Sequence, residues 1–481
     1  MEILLPIVYL LILVTTMIRI LLDTHSTPKT LAYLLLVLVL PLVGVIIYFA
    51  FGINYRHRRY NRKAVAIQLD LDKDYKRGVL DETTSLLEKE KDSLKQYANL
   101  AEFQNHLMGE ILSQNVFKLL VNGEEKFPEV LKTLEKARNF IHMEYYDWEN
   151  DVRGNQIKDI LLKKVTEGVE ARVLYDDYAS RSIRRNIVKE LREGGVEIHP
   201  KIRVKITHFA NRINHRDHRK VIIVDGRIGF VGGINISDRY DNSIDTGLYW
   251  RDTHVKFIGP LAHSMQRHFI VSWNASQPKK LEFSKELFPE VEIPREAGIY
   301  GLGQIMAGGP IYPMSNIMLT YFRIFTLAGK KLYITNPYFI PSDSILDALK
   351  QAAVSGVDVR LMLPEKSDSA IVGAASKFFF SELLQAGVRI FLYKKGFVHA
   401  KTVVADTFLS VVGTANMDIR SFDLNFEIMS VIYGEEFGRQ LENVFLEDLK
   451  LCDEVKREDW EQKGFIRSLT YAVARLISSF L

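Results

Sequence analysis

His218-Arg-Lys220-Val-Ile-Ile-Val-Asp225, followed after six residues by Gly232-Gly233-Ile-Asn235, decides how this chain is read. A second string, His399-Ala-Lys401-Thr-Val-Val-Ala-Asp406, begins 181 residues downstream and is followed after six residues by Gly413-Thr414-Ala-Asn416. One histidine on an apolar strand is an ordinary core feature. Two strings with the same internal spacing are a duplicated half-site, and they imply one site assembled from both copies.

The surroundings of the strings repeat as well. The strand-like run Phe140 to Tyr146, the helical run Ile157 to Glu167 and the strand-like run Ala171 to Tyr175 return as Lys331 to Thr335, Ile345 to Val354 and Val359 to Leu363. The turns Gly168-Val169 and Gly195-Val196 reappear as Gly356-Val357 and Gly387-Val388, offset by 188 and 192 residues. Short apolar strands alternating with amphipathic helices are α/β grammar, and the period is far too long for a solenoid. The polar stretch Ser276 to Tyr300, with Pro278, Pro289 and Pro294, reads as the linker between the copies.

With 481 residues and 47% apolar side chains, the chain can bury a large core, and a net charge of +4 does not mark a nucleic-acid binder. Its single cysteine, Cys452, excludes an intrachain disulfide framework and any multi-cysteine metal site. Ile3 to Ile18 is uncharged, and Leu31 to Phe51 is a second uncharged run of 21 residues. The second can cross a hydrocarbon core of about 30 Å, and the first can do so if Arg19 snorkels, which predicts a two-helix transmembrane hairpin. A cleaved export signal fits the first run badly, because Glu2 stands where basic residues belong and a second apolar run comes at once. The cluster Arg56-His-Arg58-Arg59-Tyr-Asn-Arg62-Lys63 places residues 52 onward, and also the amino terminus, in the cytoplasm by the positive-inside rule. Phe465 to Leu481 sets its apolar residues on one helical face, a pattern suited to a core or to a second membrane contact.

Residues two apart in a strand share a face, so His218 and Lys220 emerge side by side, as do His399 and Lys401. Lysines, together with the amides of Asn235 and Asn416, suit a phosphodiester and the extra charge of its transition state. One histidine can attack phosphorus while the other protonates the leaving oxygen, with no metal needed to activate water. Asp252 and Glu427, 34 and 28 residues after their histidines, are the candidates to orient the imidazoles. Asp225 and Asp406 fit better as braces than as proton carriers. His208, His215, His254, His263 and His268 lack the repeated context and read as structural.

The paired strings resemble the twin His-Lys-Asp signature of the phospholipase D superfamily. Asn214-His-Arg-Asp-His218-Arg-Lys220, Asn336-Pro-Tyr338-Phe-Ile-Pro341 and Asn416 to Glu427 are similar to segments of the bacterial cardiolipin synthases within it. The resemblance implies an α/β fold of two tandem phospholipase D-like domains packed as a pseudo-twofold pair. The expected divisions are a membrane anchor at 1–55, a basic and helical connector at 56–111, a first domain at 112–275 and a linker at 276–302. A second domain at 303–460 and an amphipathic helix at 461–481 complete the chain.

For the site, the resemblance implies His218, Lys220, Asp225, His399, Lys401 and Asp406 as the catalytic set, with His218 as nucleophile and His399 as acid and base. It implies no cofactor, no metal and no nucleic-acid partner. The expected reaction transfers a phosphatidyl group between two phosphatidylglycerols, giving cardiolipin and glycerol at the bacterial cell membrane. A hydrolytic phospholipase D or a phosphatidylserine synthase would use the same residues.

Overall fold

The computed structural model describes residues 4–24, 27–49, 83–203, 215–294, 298–462 and 464–478. The basic run Arg56 to Lys63, the first part of the expected connector, His208 and Asn214 lie outside these residues.

In the first half, the main-sheet strands are β1 (Ser113–Val121), β2 (Phe140–Tyr145), β3 (Glu170–Tyr175), β4 (Glu197–Pro200), β5 (Lys220–Val224) and β6 (Ile228–Gly232). The short β7 (Trp250–Arg251) precedes β8 (Thr253–Ile258). The second half repeats the series with β9 (Ile299–Gly308), β10 (Lys331–Thr335), β11 (Phe339–Ile340), β12 (Asp358–Pro364), β13 (Arg389–Tyr393) and β14 (Phe397–Val398). It continues with β15 (Thr402–Ala405), β16 (Leu409–Gly413), β17 (Met417–Asp418), β18 (Glu427–Tyr433) and β19 (Cys452–Glu454).

Fifteen of these strands form one sheet in the order β19-β13-β12-β10-β15-β16-β18-β9-β1-β8-β6-β5-β2-β3-β4. Read outward from its centre, the sheet is nearly the same in both directions, with β19 as an addition at one edge. The centre is the antiparallel pair β1 and β9, in which Asn115 faces Gly301, Val116 faces Tyr300 and Gln114 faces Leu302. This register is symmetric about the Asn115 and Gly301 pair, so the pseudo-twofold axis passes through a backbone ladder. Strand β9 starts inside the expected linker, where Gly301 and Gly303 break the apolar pattern. The reason is packing, since a side chain on Gly303 would come within 2.8 Å of the Phe117 ring. The described part of the segment from 277 to 298 has neither helix nor strand.

Strands β2, β5, β15 and β16 are buried along their whole length. Burial on both faces explains why they read as continuous apolar runs rather than alternating ones. The β5–β6 turn has Asp225 and Gly226 at φ 52 and 64, and the β15–β16 turn has Asp406 and Thr407 at φ 54 and 58. Positive φ at both central residues is the geometry of a type I′ turn, to which Asp-Gly is suited. The turns are closed by the Arg227 N–H donating to the Val224 carbonyl and the Phe408 N–H to the Ala405 carbonyl. The β-branched Thr407 is held there by its hydroxyl, which donates to Glu442. In the connector, Tyr97 and Leu100 are buried in the core and the Tyr97 hydroxyl donates to Asp406 at 2.8 Å.

At the amino-terminal end, α1 (Leu4–Asp23) is the one helix among the described residues long and apolar enough to cross a membrane, with a mean hydropathy of 2.3. The second apolar run is not the continuous helix that its composition predicts. It divides into α2 (Thr27–Val39) and α3 (Pro41–Ile47), and Leu40 between them leaves helical geometry at φ −130 and ψ 72. Proline crowds the residue before it out of the α region and has no N–H to continue the ladder, so Pro41 starts a new helix instead. Ile20 of α1 packs with Val37 of α2 and with Tyr48.

Candidate active site

Both histidines lie at the edge of the sheet where the parallel strands end. Tyr145, the last residue of β2, is opposite Lys220, and Thr335, the last of β10, is opposite Thr402. At this edge the halves exchange backbone. Strand β14 pairs in parallel with β7, and the His399 N–H donates to the Arg251 carbonyl at 2.7 Å. The symmetric contact is a bridge between Asp217 and Phe426, where the His218 N–H donates to the Phe426 carbonyl at 3.0 Å. Arg251 precedes Asp252 and Phe426 precedes Glu427, so each exchange carries a carboxylate to the histidine of the opposite half.

The resulting pairs are His218 Nδ1 with Glu427 Oε2 at 2.9 Å and His399 Nδ1 with Asp252 Oδ2 at 2.7 Å. The sequence expectation paired each histidine with the carboxylate that follows it in its own half. The observed pairing is crossed, because the carboxylates lie at the starts of β7–β8 and β18 and face the partner half across the axis. In each pair Nδ1 faces an acceptor and carries the proton, which leaves Nε2 as the nucleophilic nitrogen.

The two carboxylates are held differently. Glu427 accepts from Thr414 Oγ1 at 2.5 Å, Ser421 Oγ at 2.8 Å and Asn425 Nδ2 at 3.4 Å. Asp252 accepts from the Thr253 N–H at 2.7 Å, and its carboxylate fills the space above Gly233. A Cβ on Gly233 would lie 2.1 Å from Asp252 Oδ1, so the first copy needs glycine where the second uses Thr414 as a donor.

Burial sets the protonation states. It pushes His218 down to about 4, against the opposing pull of Glu427. His399 is lowered well below the ordinary histidine value by burial and then by the Lys401 and Lys220 cations. Burial raises Asp252 to about 6, with Lys401 opposing. Lys220 falls to about 8 and Lys401 to about 7, in both cases through burial opposed by the carboxylates. Desolvation penalises the charged form, which explains every one of these directions. Lys220 Nζ donates to the His218 carbonyl at 2.7 Å, and Lys401 Nζ donates to the His399 carbonyl.

Asn235 and Asn416 are buried beside these pairs, and the Oδ1 atom of each has no hydrogen-bond partner. The Asn235 amide donates to the Tyr240 hydroxyl at 2.7 Å. Asp225 and Asp406 stand at the far ends of β5 and β15, seven residues from their histidines and about 20 Å away along an extended strand. That distance corrects their place in the catalytic set. Asp225 accepts from the N–H groups of Arg138, Asn139 and Phe140, and Asp406 from those of Gly329, Lys330 and Lys331. Both pin the turn that enters the neighbouring strand. Of the histidines read as structural, His254 accepts from the Ile234 N–H at 3.4 Å and His268 contacts buried Glu110 at 2.7 Å.

Several residues at the site carry no repeat and escape a reading by motif. Tyr146 packs edge-on to His218 at 4.7 Å, and Tyr240 and Trp250 pack edge-on to His399 at 5.6 and 5.5 Å. Lys126 is fully buried under Asn235, donates to its carbonyl at 3.3 Å and is lowered to about 7 by burial, with Asp252 opposing. Its signal in the sequence is a lysine on the same helical face as Phe127, Val130 and Leu134, where an amphipathic helix should be apolar.

Sheet, crossed pairs and flanking lysines together define a phospholipase D-like phosphodiester site. The family described as cardiolipin synthase, PLD-like domain, matches residues 130–273 and 321–449, and a phospholipase D-nuclease N-terminal family matches residues 6–52. A cardiolipin synthase of Listeria monocytogenes serotype 4b is 35% identical over 471 residues, covering 96% of this chain and 95% of the relative. One of Geobacillus thermodenitrificans is 40% identical over 363 residues, covering 76% of this chain and 72% of the relative. The chain belongs to the cardiolipin synthase family of phospholipase D-like proteins. Among solved structures, a phosphatidylserine synthase of Haemophilus influenzae shares the fold at a TM-score of 0.56 and 15% identity, over 80% of this chain and 97% of that one.

Proposed function

We propose that this chain is a cardiolipin synthase, a membrane-associated phosphatidyltransferase that joins two phosphatidylglycerols into cardiolipin and releases glycerol. The observation that carries the reading is the pair of imidazoles, each with Nδ1 on a carboxylate of the other half and each beside a lysine. His218 Nε2 attacks phosphorus, the bond from phosphorus to the glycerol head-group oxygen breaks, and that oxygen takes a proton from His399. The hydroxyl of a second phosphatidylglycerol then returns a proton to His399 as its oxygen attacks phosphorus and the phosphorus–nitrogen bond breaks. Lys220, Lys401 and the amides of Asn235 and Asn416 offset the charge of the pentacovalent state. Burial and then the Lys401 and Lys220 cations lower the pKa of His399. A phosphodiester anion entering between the lysines offsets the part due to the cations, so substrate binding favours the protonated His399 that the first step needs.

Incubating the purified protein with labelled phosphatidylglycerol tests this. Cardiolipin and free glycerol are expected; phosphatidic acid as the sole labelled lipid would overturn the transfer reading. His218→Ala and His399→Ala are each expected to abolish turnover, and only the first to prevent an acid-labile phosphoenzyme from a substrate with a good leaving group.

The same reading puts the anchor in a bacterial cell membrane as a hairpin of two spans, with the catalytic halves in the cytoplasm. The basic run Arg56 to Lys63 after the second apolar run supports that orientation. Labelling of a cysteine introduced at Ser26 by an impermeant reagent on whole cells, with none at residue 193, is the expected outcome.

A further inference from the structure

The helix Phe465–Ser478 packs the wrong way round for a helix of a water-soluble core. It rests on the helix Ala370–Phe378 through Tyr471, Ala474, Arg475 and Ser478. Arg475 lies over the Phe378 ring at 4.6 Å, Tyr471 stacks on Trp460 at 5.9 Å, and Ala474 and Ser478 are buried. At 100° per residue these positions lie opposite Phe465, Ile466, Leu469, Val473, Leu476 and Ile477. Those six point outward, with Phe465 and Ile466 each 80% exposed and Leu476 66% exposed. Hydrophobic burial would have turned this face inward if the protein offered it a place, so the face is kept for an apolar partner outside the fold.

The surroundings of this helix identify the partner. Asp368, just ahead of the Ala370–Phe378 helix, accepts from the Tyr338 hydroxyl at 2.5 Å. The Tyr338 ring is 6.4 Å from Phe397, whose ring is 5.8 Å from that of His399. The helix on which Phe465–Ser478 rests therefore starts beside the edge of the sheet where the chemistry sits. The connections at that edge also expose large apolar side chains, namely Val152 after β2, Tyr178 after β3, Leu248 before β7, Met314 after β9 and Ile371 after β12. In water an apolar rim around a polar catalytic mouth has no purpose, whereas against a bilayer it seals the mouth to the surface that holds the substrate.

We propose that the Phe465–Ser478 helix lies in the membrane interface as an amphipathic dock. Its outward face would sink about 5–10 Å into the head-group and acyl boundary and set the catalytic edge against the bilayer. Together with α1 it gives the protein two points of attachment and so fixes its tilt on the membrane. The proposal rests on the phosphatidyl-transfer reading only where activity is measured.

The test uses the full chain with Cys452→Ser, reconstituted in phosphatidylglycerol and phosphatidylcholine vesicles, and an environment-sensitive fluorophore at Leu469→Cys or, as control, Lys189→Cys. A blue-shifted emission at position 469, quenched by lipids brominated in the acyl chains, with neither effect at 189, is expected. In parallel, the double variant Leu469→Glu and Leu476→Glu is expected to lose about tenfold in turnover on vesicles while keeping turnover of a water-soluble short-chain phosphatidylglycerol. A fluorophore at 469 that reports water in vesicles would overturn the dock. So would one that bromines do not reach and that shifts with protein concentration in detergent, since a second copy would then cover the face. Quenching at 469 with no turnover of either substrate would refute the transfer reading and leave the dock supported.

Discussion

Nδ1 of His399 stands 2.7 Å from Oδ2 of Asp252, a residue 147 positions earlier and in the other half of the sheet. Neither half contains an oriented histidine by itself, so the carboxylates are as much a test of the shared site as the histidines are. An amide in place of either carboxylate can donate to Nδ1, which turns the imidazole to the wrong tautomer. Asp252→Asn and Glu427→Gln are each expected to lower kcat by roughly 10²- to 10⁴-fold with little change in KM. Steady-state kinetics on mixed micelles measure both.

Gly233 and Thr414 occupy matching places and should respond in opposite ways to substitution. A methyl group at 233 meets the end of the Asp252 side chain, which can swing aside without disturbing backbone. Gly233→Ala is therefore expected to fold with a near-normal melting temperature and to lose at least about tenfold in kcat as His399 loses its partner. At 414 the hydroxyl is what counts, since it donates to Glu427 and accepts from the Ile428 N–H at 2.9 Å. Thr414→Ser should retain activity and Thr414→Val should lose it.

Asp225 separates stability from chemistry. Its carboxylate accepts three backbone N–H groups, two of them at 2.9 Å and one at 2.8 Å, far from the histidines. Asp225→Ala is expected to cost about 3 kcal/mol of stability while kcat per folded molecule stays near that of the parent. A chemical denaturation curve read beside active-site-normalised kinetics decides it, and a kcat collapse at unchanged stability would contradict the bracing role.

His142 provides a stability change with a definite sign. Burial pushes it down to about 3, against the hydrogen bond that its Nδ1 donates to Gln266 Oε1 at 3.1 Å, and its ring stacks 4.4 Å from that of Phe269. The unfolded chain titrates near the ordinary value of about 6.5 and therefore binds more protons than the native protein between that pH and about 3. The stabilisation is complete above about 6.5 and is lost as pH falls toward 3. Its slope is at most about 1.4 kcal/mol per pH unit. In His142→Gln the denaturation midpoint should depend less steeply on pH between about 6.5 and about 4 than in the parent, and equal slopes would refute the assignment.

How much of this was legible in the sequence depends on whether a feature is local. The strands around His218 and His399 and the repeated α/β order come from apolar runs, Gly-Val turns and spacing. The second apolar run misled because its composition conceals the effect of Pro41 on Leu40. Strand β9 was hidden by glycines that make room for Phe117. The crossing of the carboxylates was invisible for a different reason: Asp252 and Glu427 are recognisable as acids near a histidine, but their partners are chosen by the docking of two-residue strands from separate halves. Lys126, Tyr146 and Tyr240 lie outside both strings, and only a lysine on an apolar helical face gave any hint.

The ladder in which Asn115 faces Gly301 joins the two halves as a symmetric dimer would be joined, but within one polypeptide. In a dimer of identical chains a change in one copy appears in both, so a donor gained beside one carboxylate would be imposed on the other. Covalent union removes that constraint and lets each copy vary alone. Gly233 with Asp252 on one side, and Thr414 with Glu427 on the other, are a record of that independence. A reaction whose two histidines must do different work at the same instant gains most from it.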